Sequence, residues 1–281
     1  MSHPDLLPPT SHNTPPALID EPVEEMSFLG HLEVLRKHII RAVIVVVVLM
    51  IVGFYYSTWI TDNILLVFNN VDFVTYRWLN EAGNEWGIES LKIDKINFVV
   101  QNRQMAGQFN ASISIAIWTG LIVGFPYIVW ELWRFIRPAL YNKEQRAIRG
   151  FVFYLSALFF IGIGFGYYVL CPMSIQFLAS YQISATIKNE IDFNSLMGTV
   201  LTTTLSTGLV FELPLVAYFL AKIGIITDKF LSAYRRHAIV VIFIVAAVIT
   251  PPDAITQILV AIPLILLYEV SIMVTKRTKA L

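Results

Sequence analysis

The chain has 281 residues, of which 56% are hydrophobic and 14% are charged, with equal numbers of basic and acidic side chains. Soluble domains carry about 25% charged residues, so this composition excludes an ordinary soluble domain and indicates an integral membrane protein. The zero net charge gives no indication of a nucleic-acid partner. Cys171 is the single cysteine, which excludes an internal disulfide, and the five histidines show no metal-binding spacing. We therefore predict no metal and no other cofactor.

The N-terminal residues 1–25 are polar and rich in proline, which leaves too little apolar surface to offset the entropy of ordering. We predict a disordered cytoplasmic tail there and a membrane domain over 26–281. Between Met26 and Arg41 apolar residues recur at helical spacing, which predicts an amphipathic helix on the membrane surface before the first span. The alternative for its charged side chains is a solvated face without function.

Six apolar segments follow, and about 20 apolar residues are needed to cross a bilayer. The predicted spans are 42–60, 106–130, 150–169, 194–221, 237–249 and 255–274, and we expect Pro172 to close the third. The fifth segment has only 13 residues and the sixth contains Pro263, so we expect the last two helices to be short or broken. These segments predict an all-α polytopic membrane protein with six transmembrane helices.

Lys and Arg residues are unevenly distributed between the loops. If both termini are cytoplasmic, the inner side holds fifteen of them and the outer side five, which predicts that orientation. Two longer polar segments, 61–103 and 173–193, then lie outside. Apolar stretches at Phe73–Leu79 and Ile96–Val100 are expected to pack as a cap over the membrane domain.

The segment Phe125–Arg146 combines aromatic, acidic and basic side chains, as is typical of a membrane–water interface. Pro138 lacks an N–H and disfavours helix at the preceding residue, so we expect the second span to end near Arg137. The segment predicts a short cytoplasmic loop that holds a carboxylate, Glu131 or Glu144, near the membrane surface. An ordinary positive loop that only fixes topology is the alternative.

Three acidic residues lie in or near the predicted spans. A carboxylate such as Glu212 costs about 2.5 kcal/mol or more at mid-membrane, which favours either a polar concave face or a neutral side chain hydrogen-bonded inside the bundle. Glu269 has no evident partner, so a structural role at a helix contact and a functional role are both open. For Asp253 we favour capping of the final helix.

Four short segments and one further residue match a known family in order along the chain. They are His31-Leu-Glu-Val-Leu-Arg36, Phe135-Ile-Arg-Pro-Ala-Leu-Tyr-Asn-Lys-Glu144, Phe211-Glu-Leu-Pro214, Thr250-Pro-Pro-Asp253 and Gln257. With six spans, the chain resembles the TatC family, the core membrane component of the twin-arginine protein translocase, from Met26 to Lys276. The resemblance implies a concave, glove-like bundle in the bacterial inner membrane. It also implies that the protein recognises signal peptides with two consecutive arginines and supports export of folded proteins driven by the proton-motive force.

The resemblance also implies partners and site residues. The partners are twin-arginine signal peptides, small single-span subunits of the TatA and TatB type, the lipid bilayer and further copies in a larger complex. The implied signal-peptide-binding residues are Glu144, Glu33, Phe135, Arg146 and Arg36, and the implied intramembrane, partner-binding residues are Glu212, Gln257 and Asp253.

One position departs from the family pattern His-Leu-x-Glu-Leu-Arg. Val34 occupies the Glu position and Glu33 precedes it, and a shift of one residue turns a side chain by about 100° around a helix. We therefore expect Glu144 to carry more of the recognition than is usual in the family. Glu131 is expected to have only an interfacial or packing role.

Two other function classes are alternatives to a translocase component. A proton-coupled small-solute transporter would use Glu212 and Glu269 as its relay, although the two halves of the chain show no convincing repeat. An intramembrane enzyme is disfavoured because the sequence lacks a Ser–His pair, a His-Glu-x-x-His run and paired metal ligands, so we predict no catalytic residues.

Overall fold

A computed structural model of the chain describes residues 28–70, 72–87, 99–139, 150–184, 186, 189–222, 228–250 and 254–278. The longest helices in these ranges are α1 (Phe28–Tyr55), α4 (Gly107–Ile136) and α11 (Ala254–Thr278). The remaining helices are α2 (Ser57–Ile60), α3 (Val74–Trp86), α5 (Phe151–Phe165), α6 (Cys171–Ser180), α7 (Phe193–Phe211), α8 (Leu213–Lys222), α9 (Asp228–Ala233) and α10 (Arg235–Ile249). Single π turns at Thr61–Leu65 and Gly166–Leu170 and 3-10 turns at Val67–Asn69 and Arg137–Ala139 complete the helical structure.

Within the described ranges, five helical segments are long and apolar enough to cross a membrane, and the chain is therefore a multi-pass membrane protein. They are Gly30–Tyr55, Gly107–Ile136, Phe151–Ser180, Phe193–Ala221 and Thr256–Met273. Helix α10 has 15 residues and is about 22 Å long, which is less than the roughly 30 Å of a hydrocarbon core. The expected short fifth helix is thus confirmed, and the full count of six crossings stays a prediction.

The amphipathic segment and the first span form one helix. Helix α1 runs without a break from Phe28 to Tyr55, so the prediction of a separate surface helix before Arg41 is wrong. The physical reason is that neither Gly nor Pro interrupts the chain between Gly30 and Gly53, and nothing local ends a helix there.

Two prolines that were expected to limit helices do not do so. The third span continues past Pro172 to Ser180, because the proline lies in the first turn of α6 after a π turn, where its missing N–H is not needed. Pro263 lies inside α11, which has 25 residues, so the expectation of a short final helix is wrong. Neighbouring helices in a membrane bundle compensate for the backbone group that a proline leaves unpaired. The second span, by contrast, ends at Ile136, as Pro138 predicts.

Small residues let the helices approach closely. Helix α1 packs mainly against α4, and a Cβ on Gly120 would lie 2.9 Å from the carbonyl oxygen of Val46. Helices α5 and α7 meet in the same way, because a Cβ on Gly162 would lie 2.9 Å from the Cα of Gly208. Such contacts are typical of membrane helices, which associate through close van der Waals packing.

The described part of the first long loop, residues 61–70 and 72–87, packs against one end of the bundle. Phe73 and Tyr76 are buried, and the ring of Phe73 lies 6.0 Å from that of Tyr167 on the third span. This confirms that Phe73–Leu79 packs as a cap. Burial raises the pKa of Tyr76 above its usual range.

Two strands at the same end were not predicted. Strand β1 (Val99–Gln101) pairs in parallel with β2 (Glu190–Asp192), and Nη2 of Arg103 lies 2.6 Å from Oε2 of Glu190. Three residues are too few to show a strand pattern in the sequence. The pair adds a small β element to an otherwise helical bundle.

Candidate functional site at the start of α1 and the end of α4

Two aromatic side chains from distant parts of the chain meet where α1 begins and α4 ends. The ring centroids of His31 and Phe135 are 4.5 Å apart, and the ring of His38 approaches Phe135 edge-on at 6.2 Å. The two histidines are seven residues apart, which places them on one face of α1 two turns from each other. We call the group formed by His31, His38, Glu131, Arg134 and Phe135 the α1–α4 site.

Glu131 is the buried carboxylate of this site, with 1% of its surface exposed. Its Oε2 is hydrogen-bonded to Nδ1 of His38, and its Oε1 accepts a hydrogen bond from the hydroxyl of Tyr127 at 3.0 Å. Nη1 of Arg134 lies 3.5 Å from the same Oε1. A buried charge is tolerated when it is paired and hydrogen-bonded, and here both oxygens have partners.

The outer rim of the site is aromatic and cationic. The guanidinium of Arg134 lies 4.8 Å from the ring centroid of Trp130, a cation–π geometry. Trp133 contacts Phe151 at 5.1 Å, and Phe151 contacts Phe219 at 4.9 Å. These rings join the end of α4 to the start of α5 and to α8, so three helices support the site.

The predicted carboxylate on α1 lies on a different face of the helix. Glu33 is exposed and forms an ion pair with Lys37 at 2.9 Å. It follows His31 by two residues, which places it about 160° away around α1. Arg36 is likewise exposed, whereas Val34 is half-buried on the side that carries the histidines. The structure therefore brings Phe135 together with His31 and Glu131, but not with Glu33 or Arg36.

Three of the predicted site residues fall outside the part of the chain that the structure describes. They are Glu144, Arg146 and Asp253. Their roles, and the capping by Asp253, stay predictions.

Glu212 lies at a one-residue break between α7 and α8. Its N–H donates to the carbonyl of Leu209, and Pro214 explains the break because it lacks the N–H that would continue the helix. The side chain is 6% exposed, and neither carboxylate oxygen has a hydrogen-bond partner among the described residues. Of the two alternatives, a side chain hydrogen-bonded inside the bundle therefore finds no support there.

Two further residues of the predicted spans, Gln257 and Glu269, have partners. Nε2 of Gln257 donates to the carbonyl of Phe243 at 3.1 Å and so joins α11 to α10. Glu269 accepts from Nε of Arg235 at 2.9 Å, which corrects the expectation that it has no partner in reach. The pair favours a structural role for Glu269 and weakens its use as a proton relay.

Sequence reasoning missed His38 and assigned Glu131 only an interfacial or packing role. A local signal was present, because Tyr127 and Arg134 stand four residues before and three residues after Glu131, on the same face of a helix. The decisive partner, His38, is 93 residues away in the chain and is not visible to any local pattern.

Comparison with known proteins identifies the family of this chain. The model of the TatC family, described as Sec-independent protein translocase protein (TatC), matches residues 30–263. The chain belongs to the TatC family. It is 38% identical to the Sec-independent protein translocase protein TatC of Blattabacterium sp. subsp. Periplaneta americana, over 89% of this chain and 95% of the relative. It is 32% identical to the TatC protein of Deinococcus radiodurans, over 96% of this chain and 93% of the relative.

Solved structures agree with the sequence relatives. The TatC-family fold of this chain matches a crystal structure of the twin arginine translocase receptor TatC in DDM with a TM-score of 0.68 at 28% identity. The match covers 87% of this chain and 99% of that structure. The expected resemblance to the TatC family is thus confirmed.

Proposed function

We propose that this TatC-family chain is the membrane core of a twin-arginine translocase and binds twin-arginine signal peptides at the α1–α4 site and the loop that follows α4. The observation that carries the proposal is the contact between His31 and Phe135. These residues belong to the two family segments His31–Arg36 and Phe135–Glu144, and the contact joins the segments at one end of the bundle. The similarity to translocase proteins and to a solved twin arginine translocase receptor supports the same function.

The chemistry of the site suits arginine. A guanidinium pairs with a carboxylate through two parallel hydrogen bonds and also stacks on aromatic faces. In the proposed arrangement Glu144 pairs with one arginine of the signal and Phe135 offers an aromatic face to it. Glu33, which lies on the exposed side of α1 and pairs with Lys37, is the proposed partner of the second arginine. Arg36 and Arg146 complete the proposed set.

The proposed location is the bacterial inner membrane, with both termini and the α1–α4 site in the cytoplasm. The excess of Lys and Arg on that side supports this orientation. Single-span subunits of the TatA and TatB type, and further copies of the chain, are the proposed partners within the membrane. Glu212, Gln257 and Asp253 are the proposed contacts for them, with export driven by the proton-motive force.

The proposal is tested by binding of a fluorescent signal peptide to the purified chain in detergent. The twin-arginine peptide should bind about tenfold or more tightly than the peptide with two lysines, because lysine lacks the planar fork of arginine. Glu144→Gln should weaken binding of the twin-arginine peptide by about tenfold. Glu85→Gln, which alters an exposed carboxylate on α3, is the matched control and should leave binding unchanged. Equal affinity of the wild-type chain for both peptides would contradict the proposal.

A further inference from the structure

Among the described residues, helix α1 packs mainly against one neighbour. It packs mainly against α4, and only 6% of its membrane-spanning window is buried. Near its start, the described side-chain contacts with α4 include the ring contacts of His31 and His38 with Phe135 and the hydrogen bond from His38 to Glu131. A helix that is supported on one side can roll or tilt unless directional contacts fix it.

Glu131 supplies that directional contact. Ring contacts tolerate sliding, whereas a carboxylate with both oxygens engaged fixes its partners in distance and direction. Tyr127 and Arg134 hold the carboxylate from within α4, so that its remaining direction points to His38 on α1. Glu131 is thus a fixed hydrogen-bond partner on α4 that holds His38, and with it the start of α1, in place.

Packing alone does not account for a carboxylate at this position. A well-packed apolar side chain holds two helices together without the desolvation penalty of a buried charge, and replacing buried ion pairs by apolar groups is often neutral or stabilising. At 1% exposure Glu131 also does not present its oxygens to an arriving peptide. Its effect on the site must therefore pass through the residues that it orients.

We propose that Glu131 is a positioning residue for signal recognition: acting through His38, it fixes the start of α1 against α4 so that His31 and Phe135 form one aromatic surface for a guanidinium of the signal. The inference rests on the proposed function. Both rings are half-buried, so each keeps an accessible portion. Stacking on such a surface favours arginine over lysine, because the guanidinium is planar and more weakly hydrated than an ammonium.

The test compares Glu131→Leu with the wild-type full chain, using the twin-arginine and twin-lysine peptides. Glu131→Leu should weaken binding of the twin-arginine peptide by about tenfold. The affinity of the variant chain for the twin-lysine peptide should stay close to that of the wild-type chain. The ratio of the two affinities should therefore fall, which a general loss of stability would not produce. Glu131→Gln keeps the side-chain shape and one acceptor oxygen, and it should restore part of the lost discrimination.

Phe54→Leu is the matched control. The ring centroids of Phe54 and Phe109 are 6.5 Å apart, at the other end of the same pair of helices. This variant therefore weakens α1–α4 packing far from the site. It should keep the wild-type affinity ratio. If Glu131→Leu does not fold, His38→Leu is compared in the same way and carries the same expectation.

The outcomes separate the two proposals. A wild-type chain that does not discriminate between the peptides overturns the proposed function, and this inference with it. If the wild-type chain discriminates and the affinity ratio of Glu131→Leu for the two peptides stays within twofold of the wild-type ratio, only the positioning role is overturned. An equal fall in the ratio for Phe54→Leu also overturns it, because helix packing in general would then be responsible.

Discussion

Nε of Arg235, the first residue of α10, lies 2.9 Å from Oε1 of Glu269 in the second half of α11. The ion pair joins the two final helices to each other at the end where α10 begins. The hydroxyl of the adjacent Tyr268 donates to the carbonyl of Leu231 at 2.7 Å and ties the same part of α11 to α9. Of these two contacts, the ion pair joins the start of the short helix α10 to α11.

The first prediction concerns this ion pair. Glu269→Gln should lower the free energy of unfolding by about 0.5–1 kcal/mol, since both side chains are partly exposed and solvent screens their attraction. Arg235→Gln should have a similar effect, and the double variant should be less destabilised than the sum of the two. Thermal unfolding in detergent measures all three. Additive losses would show that the two groups do not interact.

The second prediction uses two glycines on α5. A Cβ on Gly162 would lie 2.9 Å from both the Cα of Gly208 and the Cβ of Phe211, and backbone cannot move aside as a flexible side chain can. Gly162→Ala should therefore destabilise the bundle by about 1–3 kcal/mol. A Cβ on Gly164 would meet no heavy atom within 4 Å among the described residues, so Gly164→Ala is the matched control and should not destabilise it.

Unfolding of the two glycine variants in denaturant checks this prediction. Equal stability would mean that α5 and α7 do not approach as closely as described. A loss in Gly164→Ala alone would mean that the opposite face of α5 carries the contact.

Much of this fold follows from chain-wide and local signals in the sequence. Runs of apolar residues predicted the location of the membrane helices, and Pro138 predicted the end of α4. The positions of Pro172 and Pro263 misled, because the effect of a proline depends on whether a π turn or a neighbouring helix supplies what it removes. No local pattern reveals such compensation.

The site was less accessible to sequence reasoning than the fold. Phe135 was predicted because its segment matches the family. The contact between His38 and Glu131 was not, because it depends on how α1 rotates against a helix that begins about 70 residues later. The direction of Glu33, by contrast, follows from helical geometry once α1 is known to be continuous.

The third prediction concerns the buried hydroxyl of Tyr76. Burial raises its pKa, so the folded state holds the phenolic proton more strongly than the unfolded chain, in which tyrosine titrates near 10. The stability from this group is complete below pH ~10 and is lost as the pH rises above it. Tyr76→Phe should therefore show a smaller fall in stability between about pH 9 and pH 11 than the wild-type chain. Identical pH profiles would show that Tyr76 does not contribute.

The last prediction concerns Glu212, whose two carboxylate oxygens lack hydrogen-bond partners among the described residues. An unpaired buried polar group costs about 1–3 kcal/mol, so Glu212→Leu should stabilise the isolated chain by an amount of that order. If the carboxylate serves partner binding, as proposed, the same variant should lose association with a single-span TatA- or TatB-type subunit.

The two measurements are thermal unfolding of the chain alone and co-purification with the single-span subunit. Leu209→Ala is a suitable control, because it changes an exposed apolar residue one turn earlier on α7. It should leave association intact and have little effect on stability. Unchanged association in Glu212→Leu would contradict the partner-binding role, and reduced stability would mean that the carboxylate has a partner within the folded chain.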